Sequence, residues 1–245
     1  MNLRNRIQQK VDSDDNQLHE VERKANLTDL PTEVLLMIFS LLSQSDLVSI
    51  SQTCQVLKQV ACDPSLWTEI TLNYEAIRKS TWACRELIGR CTMLNHLTIT
   101  STRPDIDSAK VMSVVVKRQD TLTYLKIDND KGLHNSAMTE LSKMTNLRHL
   151  VMGGERLDSS GLSLLTNLTE LQEFLMLTSR KITVPVTSIE HFASCMKKLR
   201  ILKIPGLTVA QVAALVKNYP QIEQVGNWVF TWGRQRMKRN LSISI

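Results

Sequence analysis

The sequence predicts an α/β solenoid, a stack of about six to seven strand-and-helix repeats, preceded by a small three-helix unit. Three observations carry this expectation. An apolar-x-x-apolar-x-apolar template recurs from residue 67 onward. Of the 245 residues 34 are Leu, whereas Phe, Trp and Tyr together number 11. A core rich in Leu and poor in aromatics suits helices or repeats rather than a sandwich. Finally, residues 27–66 carry three short apolar clusters separated by turn and capping residues, a unit at the lower size limit for independent folding.

The template copies are Trp67/Ile70/Leu72, Leu94/Leu97/Ile99, Leu122/Leu125/Ile127, Leu147/Leu150/Met152, Leu171/Phe174/Met176 and Leu199/Leu202/Ile204. A weaker seventh is Ile222/Val225, where Asn227 breaks the pattern. First positions lie 27, 28, 25, 24, 28 and 23 residues apart. That range is the leucine-rich-repeat period of roughly 20–29 residues. A single match occurs by chance in any Leu-rich helix; six at this spacing do not. Each copy predicts a short strand whose template residues point into the layer beneath a returning helix. A charge at Leu150 is therefore expected to be disruptive.

The segments between copies offer helix starts. Asp107 or Ser108 suits a cap for 111–115, Asn135 or Ser136 for 138–141, and Ser159 or Ser160 for 162–165. Ser188 suits the opening of 189–192, and Thr208 that of 212–216. Many such repeats place Asn or Cys at the ninth position to bond the turn backbone. Here that position holds Thr102, Asp130, Glu155, Ser179 and Leu207, so the repeats are irregular and their curvature is not predictable.

In 27–66, Pro31 suits a first helical turn, followed by Val34, Leu35, Ile38, Phe39, Leu41 and Leu42. These cover more than one face, so the helix should be buried on one side and adhesive on another. Ser45-Asp46 reads as a cap and first-turn acid for a second helix. A third carries Val56, Leu57, Val60 and Ala61 and ends at Asp63-Pro64. The expected organisation is a disordered polar N-terminus (1–26, or a frayed helix over 16–24), the three-helix unit (27–66), the repeats (67–230) and a basic tail (231–245). Trp228, Phe230 and Trp232 read as a cover for the open end of the stack or, less simply, as an aromatic pocket.

The net charge of +6 is uneven, since 27–66 hold Asp29, Glu33, Asp46 and Asp63 against Lys58 alone. Arg234, Arg236, Lys238 and Arg239 concentrate positive charge in the tail, which reads as a solvated end or as a contact for phosphate or an acidic partner. Aromatic and basic residues do not interleave as a single-strand nucleic-acid groove requires. The sequence contains no apolar run of membrane-spanning length and no secretory pattern at its start. With five cysteines, an odd number, the expectation is reduced thiols and a cytoplasmic or nuclear location. C-x-x-C and H-x-x-x-H spacings are absent, so zinc is unsupported. Cys84 and Cys91, with His96 nearby, read as buried thiols. Gly153-Gly154 lacks the context of a phosphate loop, and nothing favours a Ser/His/Asp arrangement. Neither cofactor, metal nor catalysis is expected.

The run from Leu27 to Leu42 (LTDLPTEVLLMIFSLL), then Ser45-Asp46-Leu47, Thr53-Cys54-Gln55-Val56-Leu57 and Asp63-Pro64-Ser65-Leu66-Trp67, strongly resembles an F-box. Leu57 stands where that family often has Trp. Together with the repeats, the chain resembles the F-box/leucine-rich-repeat family over about 27–230. The resemblance implies a non-catalytic substrate receptor of an SCF (Skp–cullin–F-box) ubiquitin ligase. The F-box docks on the Skp adaptor and through it on cullin and RING subunits, while the repeats hold a protein substrate for ubiquitination and proteasomal degradation. It implies Leu30, Pro31, Glu33, Ile38, Leu42, Leu47 and Leu57 as adaptor-facing or adaptor-shaping.

Strand alternation places the residues between template positions on the concave face. The candidate substrate contacts are Tyr124, Lys126, His149, Val151, Glu173, Leu175, Leu177, Ile201 and Lys203, an apolar centre with charged neighbours. Because 171–177 is nearly all apolar, Leu175 and Leu177 are also compatible with a register that buries them. Alternative functions are an interaction scaffold or inhibitor acting without a ligase, and a nucleic-acid contact through the tail.

Overall fold

The structure, a computed structural model, describes residues 26–103, 105–129, 131–177, 184–226 and 242–244. The expectations for the N-terminal segment, for Trp228, Phe230 and Trp232, and for the basic residues of the tail lie outside the described residues. The chain divides into two compact units between Leu66 and Trp67.

The first unit contains helices α1 (Thr32–Phe39), α2 (Gln44–Ile50) and α3 (Gln55–Ala61). Pro31 is the residue before α1 rather than inside its first turn; its fixed φ still suits that position. The cap of α2 is Ser43, not Ser45. Its hydroxyl accepts from the Asp46 amide, and the Asp46 carboxylate accepts back from the Ser43 amide, a reciprocal capping box that needs a three-residue spacing. A 3₁₀ turn over Pro64–Leu66 follows α3, with Asp63 accepting from the Ser65 amide and hydroxyl.

The second unit is a parallel solenoid. Strands β1 (Glu69–Asn73), β2 (His96–Thr100), β3 (Tyr124–Asp128), β4 (His149–Gly153), β5 (Glu173–Leu177), β6 (Ile201–Lys203) and β7 (Gln224–Gly226) are hydrogen-bonded in sequence order, all parallel. Helices return the chain: α4 (Tyr74–Lys79), α5 (Thr81–Arg90), α6 (Ser108–Val115), α7 (Asn135–Leu141), α8 (Ser159–Leu164), α9 (Val186–Cys195) and α10 (Val209–Asn218). From α5 to α10 each helix packs on its neighbours in chain order.

The predicted template sets the register. Ile70, Leu97, Leu125, Leu150, Phe174, Leu202 and Val225 pair side by side across all seven strands. Every template residue is buried, with none more than 9% exposed. The weak seventh copy forms a strand as well, because Ile222 and Val225 alone fill the layer. Between strands, one carbonyl per repeat accepts two amides of the next: Thr68 from Asn95 and His96, Asn95 from Thr123 and Tyr124, Thr123 from Arg148 and His149, Arg148 from Gln172 and Glu173, and Gln172 from Arg200 and Ile201. This stacked ladder locks each repeat one step from the last.

Three of the five expected caps differ, and two of those three helices begin without a side-chain cap. Asp107 and Thr208 cap α6 and α10 as expected. Asn135 is the first residue of α7 rather than its cap; His134 precedes it without a side-chain bond. Helix α9 starts at Val186 after Pro185, two residues before Ser188. Helix α8 is capped by Asp158 rather than Ser159 or Ser160. The Asp158 carboxylate accepts from the Gly161 amide (2.8 Å), the Ser160 hydroxyl (2.7 Å) and the Asn135 amide group (2.8 Å). These bonds, the Gly161 amide first, hold its pKa down from 3.8 to about 2. Asp158→Ala should cost about 1 kcal/mol at neutral pH. Because the folded pKa is depressed, the ionised cap's contribution is complete above the ordinary carboxylate value and fades as pH falls through about 2. Thermal melts of both proteins should therefore differ at pH 7 and converge towards pH 2.

The residue bonding a repeat turn is also displaced. Asn129, one position before the expected ninth, is buried; its amide donates to the Arg103 carbonyl (2.8 Å) and its oxygen accepts from the Gly132 amide (3.1 Å). At the far edge, strand β8 (Ser242–Ser244) pairs antiparallel with β7, within the stretch read from sequence as a solvated tail. It satisfies the exposed backbone groups that an uncovered edge strand presents.

Candidate protein-interaction surfaces

In the first unit, α1 separates its apolar residues by face. Leu35 and Phe39 are buried. Val34, Met37 and Ile38 lie on another face and Leu41 in the turn just after the helix; all four are exposed, Met37 at 70% and Leu41 at 87%. Leu27, Leu30, Val48 and Val56 are exposed as well. Exposed large apolar side chains are thus concentrated on a small unit, which makes it a candidate for burial against a partner. Of the residues expected at the adaptor, Leu30, Pro31, Glu33 and Ile38 are exposed, Leu42 is half-buried, and Leu47 and Leu57 are buried. The last two therefore shape the unit from within. The adaptor set read from sequence leaves out Met37 and Leu41, the most exposed large apolar residues of this unit; assigning the apolar residues of 34–39 to two separate helical faces would have found Met37.

In the second unit, the sheet face opposite the template is open. Its residues form rows set by strand register. One row runs Glu69, His96, Tyr124, His149, Glu173, Ile201, Gln224, and the next Thr71, Thr98, Lys126, Val151, Leu175, Lys203, Gly226. Asp128, Gly153 and Leu177 belong to a third. All nine expected contact residues lie on this face. Leu175 and Leu177 alternate with the buried Phe174 and Met176 and are half-exposed, so the strand takes the outward register for them. Val151, 9% exposed, is the most enclosed of the nine.

Aromatic and charged groups order the first row. The rings of His96 and Tyr124 meet edge-on at 5.3 Å, and Tyr124 lies 6.1 Å from His149. His149 Nδ1 is 3.2 Å from the Glu173 carboxylate. In the middle row Lys126 Nζ lies 3.2 Å from Asp128. Tyr124, Lys126, Val151, Leu175, Met176, Leu177 and Lys203 together line a hollow of about 220 Å³. Gly153 leaves the third row without a side chain beside it.

The five cysteines are free, with Cys84 and Cys91 buried. Burial pushes the Cys84 thiol up, and the Cys91 thiol donates to the Leu87 carbonyl (3.2 Å). Among the described residues no cluster of His, Cys, Asp and Glu forms a metal site, and no helix is long and apolar enough to cross a membrane.

Comparison with known proteins bears on each unit. Residues 27–73 match the F-box-like family. The bovine F-box/LRR-repeat protein 4 is 24% identical over 176 residues, covering 70% of this chain and 28% of its own length. The chain thus spans under a third of that relative. The crystal structure of an internalin from Listeria monocytogenes is similar at a TM-score of 0.40 and 19% identity, covering 82% of this chain and 53% of its own. The chain carries an F-box-like domain followed by a parallel strand-and-helix repeat solenoid, with weak sequence similarity to an F-box/leucine-rich-repeat protein.

Proposed function

We propose that this protein is a non-catalytic substrate receptor of an SCF ubiquitin ligase, in which the F-box-like unit docks on a Skp-type adaptor and the open sheet face binds a protein substrate. The observation that carries this reading is the exposed stripe Val34, Met37, Ile38 and Leu41 in a domain that matches the F-box-like family. An amphipathic helix with a second apolar face gains by inserting that face into a partner's groove. Leu30, Pro31 and Glu33 flank the stripe, Leu42 is half-buried, and Leu47 and Leu57 support the unit from inside. Held this way, a substrate on the repeats sits at high effective concentration beside ubiquitin-loaded enzyme recruited through cullin and RING subunits. The compartment implied is cytoplasmic or nuclear.

The test is binding of a purified Skp-type adaptor to the full chain, measured by calorimetry. The double variant Met37→Asp/Leu41→Asp should weaken binding by at least about 100-fold, as expected for two central apolar anchors. Because both side chains already face solvent, its melting temperature should stay near that of the unmodified protein. Equal binding by the variant, or none by the unmodified chain, would refute the docking mode.

A further inference from the structure

Helix α5 buries one face and leaves the other uncovered. Cys84 and Ile88, one helical turn apart, are its buried residues. Trp82 is 72% exposed, although tryptophan is highly buried on average. Ala83 and Leu87 lie beside it, also a turn apart, and both are exposed. Met93, just beyond the helix, is exposed as well. Cations surround this apolar strip. Arg85 follows Trp82 by three residues and Arg90 follows Leu87 by three, so each sits one turn from an apolar side chain. Lys79 precedes the helix, and all three are exposed. Among the described residues, none pairs with any of these three side chains. Their neighbours are engaged instead. Arg78 and Arg103 pair with Glu75, and Arg118 donates to the Ile88 and Gly89 carbonyls at the end of α5. Against the three unpaired cations α5 carries one carboxylate, Glu86.

We infer that the outer face of α5 docks an acidic amphipathic segment of a partner protein. Its apolar residues cover Trp82 and Leu87, and its carboxylates meet Arg85, Arg90 and Lys79. Charge complementarity sets the sign of the partner, since three unpaired cations favour carboxylates and repel a basic surface. Residue type sets its class. Trp and Arg are the commonest anchors of protein interfaces, and the planar guanidinium fork matches a carboxylate. Two other polyanions fit less well. A nucleic-acid strand stacks on successive aromatic platforms, and Trp82 is the sole aromatic residue of α5. An anionic membrane surface takes a helix with a broad apolar face, whereas α5 spans ten residues and exposes two large apolar side chains, Trp82 and Leu87. The face lies on the helical side of the stack, away from the open sheet face. The inference therefore goes beyond the substrate-receptor reading and does not rest on it.

The experiment uses the full chain and a fluorescein-labelled peptide centred on Glu-Asp-Leu-Asp-Glu-Leu-Phe, read by anisotropy at low salt. Trp82→Ala should weaken binding by about tenfold or more, as for an aromatic anchor. Arg85→Glu/Arg90→Glu should weaken it by about tenfold, and the difference should shrink as salt rises. The same double variant should prefer a peptide carrying lysines in place of the acids. Because all three side chains face solvent, both variants should melt close to the unmodified protein. Single-stranded RNA, vesicles containing anionic lipid and the Skp-type adaptor are titrated in parallel. The inference is overturned if the peptide does not bind the unmodified chain, binds Trp82→Ala equally, or binds equally with its acids replaced by amides. It is also overturned if RNA, vesicles or adaptor, rather than the peptide, lose affinity in Trp82→Ala. An unmodified chain that binds peptide but not adaptor removes the ligase reading and leaves this surface standing.

Discussion

Leu150→Asp should abolish folding of the repeat unit. Leu150 is fully buried on β4, the central parallel strand, paired with Leu125 on one side and Phe174 on the other. Removing a buried Leu side chain costs about 2–5 kcal/mol, and the carboxylate has no partner in that layer, so its desolvation adds further cost. The sum is comparable to the entire stability of a typical domain, about 5–15 kcal/mol. Topology compounds the loss. A solenoid is held by contacts between neighbouring repeats, so disrupting β4 separates β1–β3 from β5–β7. Circular dichroism and urea denaturation of the variant should show no cooperative transition. Thr98→Asp, on the open face of β2 and half-exposed, should melt close to the unmodified protein. A normal urea midpoint for Leu150→Asp would mean that the template layer is not the core.

The second large effect concerns a glycine. Gly132 has φ of +71°, and a Cβ there would lie 2.1 Å from the Gly153 carbonyl oxygen and 2.7 Å from its carbon. Both obstacles are backbone, so neither moves without shifting β4. Gly132→Ala therefore adds a left-handed conformational cost of about 1–2 kcal/mol to a steric displacement, and should destabilise by more than about 2 kcal/mol. The same substitution at Gly89 should act in the opposite direction. Gly89 lies in α5 and its added Cβ meets nothing within 4 Å, so alanine should stabilise by about 0.5–1 kcal/mol. Denaturant midpoints of the two variants should bracket the parent. Finding Gly132→Ala at or above the parent would contradict the packing of that loop on β4. Gly153 pairs with Leu177, which lines the hollow, so Gly132→Ala should also disturb that side of the open face.

Several features of this molecule were legible without coordinates because they repeat. The layer position of Leu97, Leu125, Leu150, Phe174 and Leu202 follows from spacing alone, and even Val225, in a damaged copy, takes its place in the register. The F-box pattern was readable for the same reason: its order of residues is long and specific. Single-occurrence features were less legible. Asp158 caps α8 where two serines stood as candidates, because the choice depends on Asn135 arriving from the neighbouring repeat. Asn129 bonds its turn one position early, and which side chain reaches a turn backbone is decided by the loop's path.

The sequence by itself determined the parallel strand-and-helix repeat, its template layer and the presence of an F-box-like unit, since periodicity and hydrophobicity act locally and identically in each copy. It also marked which strand residues alternate with the template. Tertiary structure decided the rest. The segment 171–177 is apolar on both faces, and only pairing with β4 and β6 directs Leu175 outward and Phe174 inward. Likewise Val34 and Met37 are exposed while Leu35 and Phe39 are buried because the packing of the first unit selects one face of α1. The alignment of Lys126 with Lys203 across three strand steps exists only through register, since nothing in their separation along the chain relates them.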